Sequence, residues 1–430
     1  GGEDAPYLSR LEASLTSDAG LRQAFDLQLE DYIAGALPLD LVITEKQDGD
    51  LDINLEGDLT PLRLNVDALD YAKPQGTQGT LNAELRVRDE VLARVESLNM
   101  KAPALHVNDA ALNFARSEHG GRIESGSIKR LAINATDAKI DISRTNSDRL
   151  VLDLKGKSLD ARPFLGSGKG KSDKRTPMIV KGDVTRMRTT EARDIRDVSL
   201  YIDTRATGFP KQLEMDAKAG DETIYLRYKP DDETDKQKLV LQADNAGAFM
   251  RAFDIYENMR GGRLTVRAHA EKPGKDDRLE GELAIRDFEV FDAPVLAKLL
   301  NSLSLSGILE LLEDDGISFT KLQSDVTYIT EGDKRIIRFR KGRTSGSALG
   351  LTFEGEVDQA NNTLDIKGTI VPASDVNRFV SRIPLIGRVL AGDKGDSVFA
   401  ATYKIKGDAE ETKITINPLS VLTPGILRKI

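Results

Sequence analysis

The sequence predicts a mainly β protein, largely antiparallel, with short helices concentrated in its C-terminal third. Three observations lead there. Apolar and charged residues alternate with period two through most of the chain, Gly- and Asn-rich turn signals punctuate that alternation, and helical spacing is confined to a few short pieces. Nearly every alternating segment has one aliphatic and one charged face. A sheet of such segments is covered on one side only, which suits antiparallel meanders rather than a doubly wound parallel sheet.

In chain order, residues 21–29 carry helical spacing. Leu51, Ile53 and Leu55 then alternate with Asp52, Asn54 and Glu56, and the same pattern recurs at Leu62, Leu64, Val66 and at Leu81, Leu85, Val87. Leu131 and Ile133, Ile140 and Ile142, and Leu150, Leu152, Leu154 carry it onward, making residues 1–164 one β segment. Residues 165–177, rich in Gly, Lys and Asp, have no period and read as a flexible loop. Alternation resumes over residues 178–290 with Val198, Leu200, Ile202; Ile224, Leu226, Tyr228; Leu239, Leu241; Leu264, Val266; and Leu283, Ile285. Helical spacing marks residues 246–253, 294–300, 303–312 and 376–389, the last broken at Pro384, so residues 291–430 read as an α+β segment. Roughly two dozen strands of ordinary length result. Two closures fit them: sheets packed face to face as sandwiches, or one long sheet curled into an aliphatic trough.

Composition narrows function. The 430 residues contain 61 Lys and Arg against 70 Asp and Glu, a formal charge of -9, the wrong sign for counterion-release binding to nucleic acid. Aromatics make up 5% and Trp is absent, so base stacking has no platform. Without Cys there is no disulfide framework, no thiolate nucleophile and no sulfur-ligated zinc. No apolar run is long enough to span a bilayer, because Pro418 and Pro424 interrupt the uncharged stretch over residues 414–427. The Gly1-Gly2 start reads as a cut from a longer chain whose N-terminal anchor lies upstream.

Motifs for chemistry are weak. Residues 166–172 end like a phosphate-binding loop, but Leu165 stands where the spacing needs Gly and Pro177 follows instead of a long helix. Asp48, Asp50 and Asp52 begin like a calcium loop, yet Ile53 and Leu59 occupy the turn-glycine and closing-glutamate positions, which leaves a charged hairpin turn. His106 and His269 fall on charged strand faces and His119 in a turn, poor material for a triad or metal cluster. The pairs Asp231-Asp232, Asp276-Asp277 and Asp314-Asp315 sit beside Pro, Lys or Gly as solvated turns, so nothing favours a two-carboxylate glycosidase. Short regular repeats of a carbohydrate-active solenoid are missing as well. The expectation is a protein that is not an enzyme.

The C-terminal part is more specific. Ala293-Pro294-Val295-Leu296, Ser304-Leu305-Ser306-Gly307, Gly316-Ile317-Ser318-Phe319, Gly368-Thr369-Ile370-Val371-Pro372, Ile383-Pro384-Leu385-Ile386-Gly387 and Asn417-Pro418-Leu419-Ser420 resemble the AsmA-like superfamily of bacterial envelope proteins, specifically its YhdP branch. Gly57-Asp58-Leu59-Thr60, Lys73-Pro74-Gln75-Gly76, Ala243-Asp244-Asn245-Ala246-Gly247 and Gly261-Gly262-Arg263-Leu264 extend the resemblance over most of the chain. It implies a periplasmic protein held in the inner membrane by an N-terminal helix absent from this chain. It also implies a β-rich hydrophobic groove that carries glycerophospholipid to the outer membrane, with no catalytic residues.

The resemblance favours the curled groove over the sandwich. The expected groove lining is Ile53, Leu55, Leu64, Leu85, Val87, Leu152, Leu154, Leu200, Leu226, Leu241, Leu264, Val266, Leu283 and Ile285, with phospholipid as cargo and no other cofactor or metal. Ile383, Leu385, Ile386, Val389 and Leu390 are expected to meet the membrane or close the end of the groove. Expected partners are phospholipid, the inner and outer membranes and envelope proteins, with no nucleic acid. The alternative is an envelope-assembly scaffold that binds proteins through β edges and carries no lipid.

Overall fold

The computed structural model describes residues 7–24, 29–117, 120–165, 177–205, 210–232, 234, 236–270, 278–303, 305–331, 334–372, 400–408 and 412–419. Twenty-two strands belong to a long, curled, mainly antiparallel sheet that does not close into a barrel, and three short strands form a second sheet. The chain divides into two compact units, Gly1–Pro210 and Lys211–Ile430.

The first unit begins with β1 (Ser9–Ser17), α1 (Ala19–Ala24), β2 (Ile33–Ala34), β3 (Leu37–Glu45), β4 (Leu51–Asp58), β5 (Arg63–Val66) and β6 (Tyr71–Lys73). It continues with β7 (Thr80–Arg88), β8 (Val91–Ala102), β9 (Leu105–Ser117), β10 (Gly120–Ile133), β11 (Thr136–Arg144), β12 (Leu150–Asp160), α2 (Arg162–Leu165), β13 (Met178–Arg188) and β14 (Asp194–Thr204). In the large sheet β1 pairs with β3, β3 with β4, β4 with β7, and each later strand of the unit with its successor. All these pairings are antiparallel except β12–β13, which is parallel. β12 therefore ends and β13 begins at opposite rims of the sheet.

Local chemistry sets the hairpins. Asp89 and Glu90, with φ of 48° and 63°, form the two-residue turn from β7 to β8, the left-handed pair whose twist matches the flanking strands. Inside strands, Asp109 and Asp197 have φ of 49° and 50°, and the ladders skip a pair at each. The register is unchanged across each gap, and Asp tolerates the left-handed region better than most residues.

The two rims differ. One carries every insertion: α1 and β2 after β1, the β5–β6 hairpin between β4 and β7, and α2 after β12. The other joins its strands by short polar turns, such as residues 46–50, 89–90 and 145–149. On the insertion rim the small β2–β5–β6 sheet packs Leu59, Leu62, Leu64 and Tyr71 onto Ala102, Leu105 and Ile133 of the large sheet. Lys73 fastens this plug. It is 1% exposed, and its ammonium donates to the carbonyls of Leu59 and Leu62, both at 2.7 Å, while burial pulls its pKa below the usual lysine value. Lys73→Met strands those carbonyls at a cost of about 2–4 kcal/mol. Hydrogen exchange should quicken over residues 59–73 in that variant and stay unchanged in β11 and β12.

The second unit contains β15 (Pro210–Ala219), β16 (Glu222–Pro230), β17 (Gln237–Ala243), α3 (Ala246–Ala252), β18 (Met259–Ala270), β19 (Arg278–Val290), α4 (Pro294–Ser302) and α5 (Ser306–Asp314). It ends with β20 (Ile317–Glu331), β21 (Lys334–Gly346), β22 (Leu349–Asp358), β23 (Thr363–Pro372), β24 (Ala400–Asp408) and β25 (Thr412–Leu419). From β15 to β25 each strand pairs antiparallel with the next.

In this unit too the helices share one rim. Asn245 caps α3, its side chain accepting from the Ala248 amide at 2.9 Å. Gly247 lets that helix lie on β18, since a Cβ there would meet the Met259 carbonyl oxygen at 2.4 Å. Pro294 opens α4, whose Leu299 and Leu300 are buried, as is Leu312 of α5. Beneath them Phe288 and Phe319 stack at 5.2 Å, and Leu349, Ile370, Val371 and Ala401 are fully buried. Aromatic rings lie against glycines of neighbouring strands: a Cβ on Gly342 would strike the Phe353 ring at 2.4 Å, and one on Gly368 the Tyr403 hydroxyl at 2.8 Å. That hydroxyl donates to the Thr352 carbonyl at 2.9 Å, and burial pushes its pKa up.

Candidate functional site

Residues directly opposite one another in neighbouring strands point to the same face, so the ladders can be read as rungs. In the first unit Ile43, Ile53 and Leu85 share a rung, as do Leu41, Leu55 and Ala83, while Val87 faces Leu51 and Leu92. Further along, Ile142, Leu152, Val180 and Ile202 align, and so do Ile140, Leu154, Gly182 and Leu200. In the second unit Met215, Leu226, Leu241, Val266 and Leu283 make one rung, and Ala217, Ile224, Ala243, Leu264 and Ile285 the next. Each unit thus presents one aliphatic face.

Leu64 is the exception among the expected lining residues. It sits on β5 of the small sheet, 7% exposed inside the plug. Its segment alternates like its neighbours, but Leu62 and Leu64 are taken up by a core of their own.

Exposure varies systematically over these faces. Ile53, Leu55, Leu85, Val87, Leu152 and Leu200 are only half-buried although their strands are flanked on both sides, and so are Leu226, Leu241, Val266 and Leu283. Among the described residues no second layer covers them. Leu154, Leu264 and Ile285 are buried, the latter two on the strands that α3 covers. Covering a half-exposed Leu, Ile or Val is worth about 1 kcal/mol or more, because complete burial recovers roughly 1.5–3 kcal/mol.

The opposite face is laced with ion pairs. Arg86 bridges Asp52 at 3.1 Å and Glu96 at 3.2 Å. Burial works to raise the pKa of Asp52, but bonds from Lys46 and Arg86 outweigh it and hold the carboxyl below its usual range. A cavity of about 640 Å³ opens on this polar side of β1, β3, β4, β7 and β8, between Glu12, Asp40, Asn54, Glu56, Asn82, Glu84 and Asn99.

The remaining sequence motifs resolve into structural roles or fall outside the described residues. Asp50 is 6% exposed and grips Arg88 at 2.7 Å, while Asp48 accepts from the Asp50 amide at 3.1 Å, so this acidic triplet builds a hairpin turn. His106 and His269 are exposed on the charged faces of β9 and β18. Among the described residues no group of His, Asp or Glu is placed to hold a metal, and no helix is long and apolar enough to cross a membrane. Ile383, Leu385, Ile386, Val389 and Leu390, residues 166–176, His119 and the Asp276-Asp277 pair lie outside the described residues.

The aliphatic face also holds residues that alternation alone did not single out. Leu39, Leu41 and Ile43 of β3 were hidden because Pro38 and Val42 on the other face blur the period. Val180 and Val184 of β13 were hidden because Gly182 leaves a blank between them. No family model matches the chain, and neither a curated protein nor a solved structure with significant similarity to it was found.

Proposed function

We propose that this chain is a lipid-carrying segment of a bridge-like transfer protein of the bacterial envelope. Acyl chains of glycerophospholipids rest on the aliphatic faces while head groups stay in water. The observation that carries this reading is the uncovered, half-buried rung Leu226–Leu241–Val266–Leu283 and its counterparts in the first unit. A face of this kind costs solubility unless something apolar covers it. Neighbouring rungs offer nearly equal contacts, so a bound chain can slide between them. The reading needs no catalytic group and no cofactor beyond the lipid itself. Its periplasmic setting, its inner-membrane anchor and its traffic toward the outer membrane come from the AsmA-like, YhdP-type resemblance.

A second reading, an envelope scaffold that binds proteins, draws on β1. This nine-residue strand has no Pro, no Lys and no register shift against β3, so Arg10 and Glu12 are its guards against strand addition. Native mass spectrometry of the chain purified without detergent separates the two. Mass increments of glycerophospholipid are expected. Lipid-free protein bound to other polypeptides would favour the scaffold and sink the lipid reading.

A further inference from the structure

The geometry points to a fixed orientation of the cargo in the first unit: tails run along the strands toward the insertion rim, and the head group stands over the rim of polar turns. This rests on the lipid reading and deepens it.

On β7, β11 and β12 burial deepens over the first few residues leading away from the turns. Next to the turns, Val87, Ile142, Leu150 and Leu152 are half-buried, whereas Ala83, Ile140 and Leu154, farther along the same strands, are buried. Beyond Ala83 the small sheet packs onto the β7–β10 end of the insertion rim with Leu59, Leu62 and Tyr71, held by Lys73. With the insertion rim packed, the turn rim is the end of these strands at which a head group meets water.

Depth fits a single acyl tail. Four residues separate Val87 from Ala83 and Leu150 from Leu154, which at roughly 3.3 Å per residue is about 13 Å. One leaflet of a bilayer is about 15 Å deep, half of the roughly 30 Å hydrocarbon core.

Three arginines at the described turns are each matched by an acid. Arg88 is paired with Asp50 and Arg122 with Asp148, both at 2.7 Å, and Arg149 is held by Asp203. No uncommitted cation is offered by these three arginines to a phosphate. The rim holds a head group by leaving it hydrated, so anionic and zwitterionic lipids should load alike.

The test uses the natural absence of Cys. Single variants Val87→Cys and Ala83→Cys, with Leu150→Cys and Leu154→Cys as a second pair, carry a fluorophore. Each is mixed with phosphatidylglycerol or phosphatidylcholine bearing a nitroxide either near the glycerol end of the acyl chain or at its methyl end. The glycerol-end nitroxide is expected to quench the labels at 87 and 150 and leave those at 83 and 154 bright, and the methyl-end nitroxide should do the reverse, with both lipids. Quenching that ignores nitroxide position, or a reversed order, overturns the orientation while leaving lipid binding intact. A preference for phosphatidylglycerol overturns the neutral rim. Absence of quenching at all four sites, with native circular dichroism, overturns the lipid reading and this inference with it.

Discussion

Leu241→Asp should strip phospholipid from the second unit while leaving the sheet folded. Leu241 lies between Leu226 and Val266 on a half-buried rung, so a carboxylate there still reaches water and no closed core is broken. Any acyl chain crossing that rung must desolvate the charge or leave the contact. Losing the contact of a half-exposed leucine costs about 1 kcal/mol or more, and desolvating the carboxylate brings the total to about 1.5–3 kcal/mol. That is roughly a ten- to hundredfold fall in retained lipid. Gln242→Asp, on the opposite face, is the control and should retain lipid fully. Lipid stoichiometry read by mass spectrometry, with circular dichroism on the same samples, decides the matter. Unchanged lipid in Leu241→Asp would show that the cargo does not lie on this face.

A large loss of stability is expected from Gly281→Val. A Cβ at Gly281 would lie 2.0 Å from the Arg267 carbonyl oxygen and 2.6 Å from the Ala268 Cβ, so the β18–β19 ladder must part to admit it. Overpacking against side chains costs about 1–3 kcal/mol, and here backbone must move, so about 3 kcal/mol or more is expected. For a unit of this size that lowers the melting midpoint by about 6–12 °C. Gly182→Ala is the matched contrast. It also points to the aliphatic face, but its Cβ would meet Leu200 at an ordinary 3.7 Å, so its midpoint should barely move. Equal shifts in the two variants would show that close approach is not what requires glycine at Gly281.

These two glycines mark where sequence reading reaches its end. Alternation at Ile53 and Leu55, or at Leu264 and Val266, fixes which side chains share a face, because a one-residue slip would turn every one of them to water. The mainly β, antiparallel architecture follows from many such segments, whereas a sandwich and a curled trough fit the same period equally. Nothing in the period says how close the neighbouring strand comes, so Gly182 and Gly281 look alike on paper and differ in space. Nor does it separate Leu64 from Leu85: both alternate with polar neighbours, and what places Leu64 in a plug is its packing with Leu59, Leu62 and Tyr71, fastened by Lys73. The parallel β12–β13 joint was equally hidden, because the direction of the second strand depends on where its connection runs.

The pairing order within each unit bears on how the protein is made. After β7, strands of the first unit find their partners in the next stretch of chain, and the second unit does the same from β15 to β25. Contacts of such short sequence separation let assembly proceed by successive nearest-neighbour steps, as in repeat proteins. A polypeptide wired in this way can be threaded end-first through a narrow pore and rebuild its sheet one hairpin at a time on the far side. Pulled from one end it should come apart in the same increments, giving a staircase of small force peaks instead of one cooperative rupture.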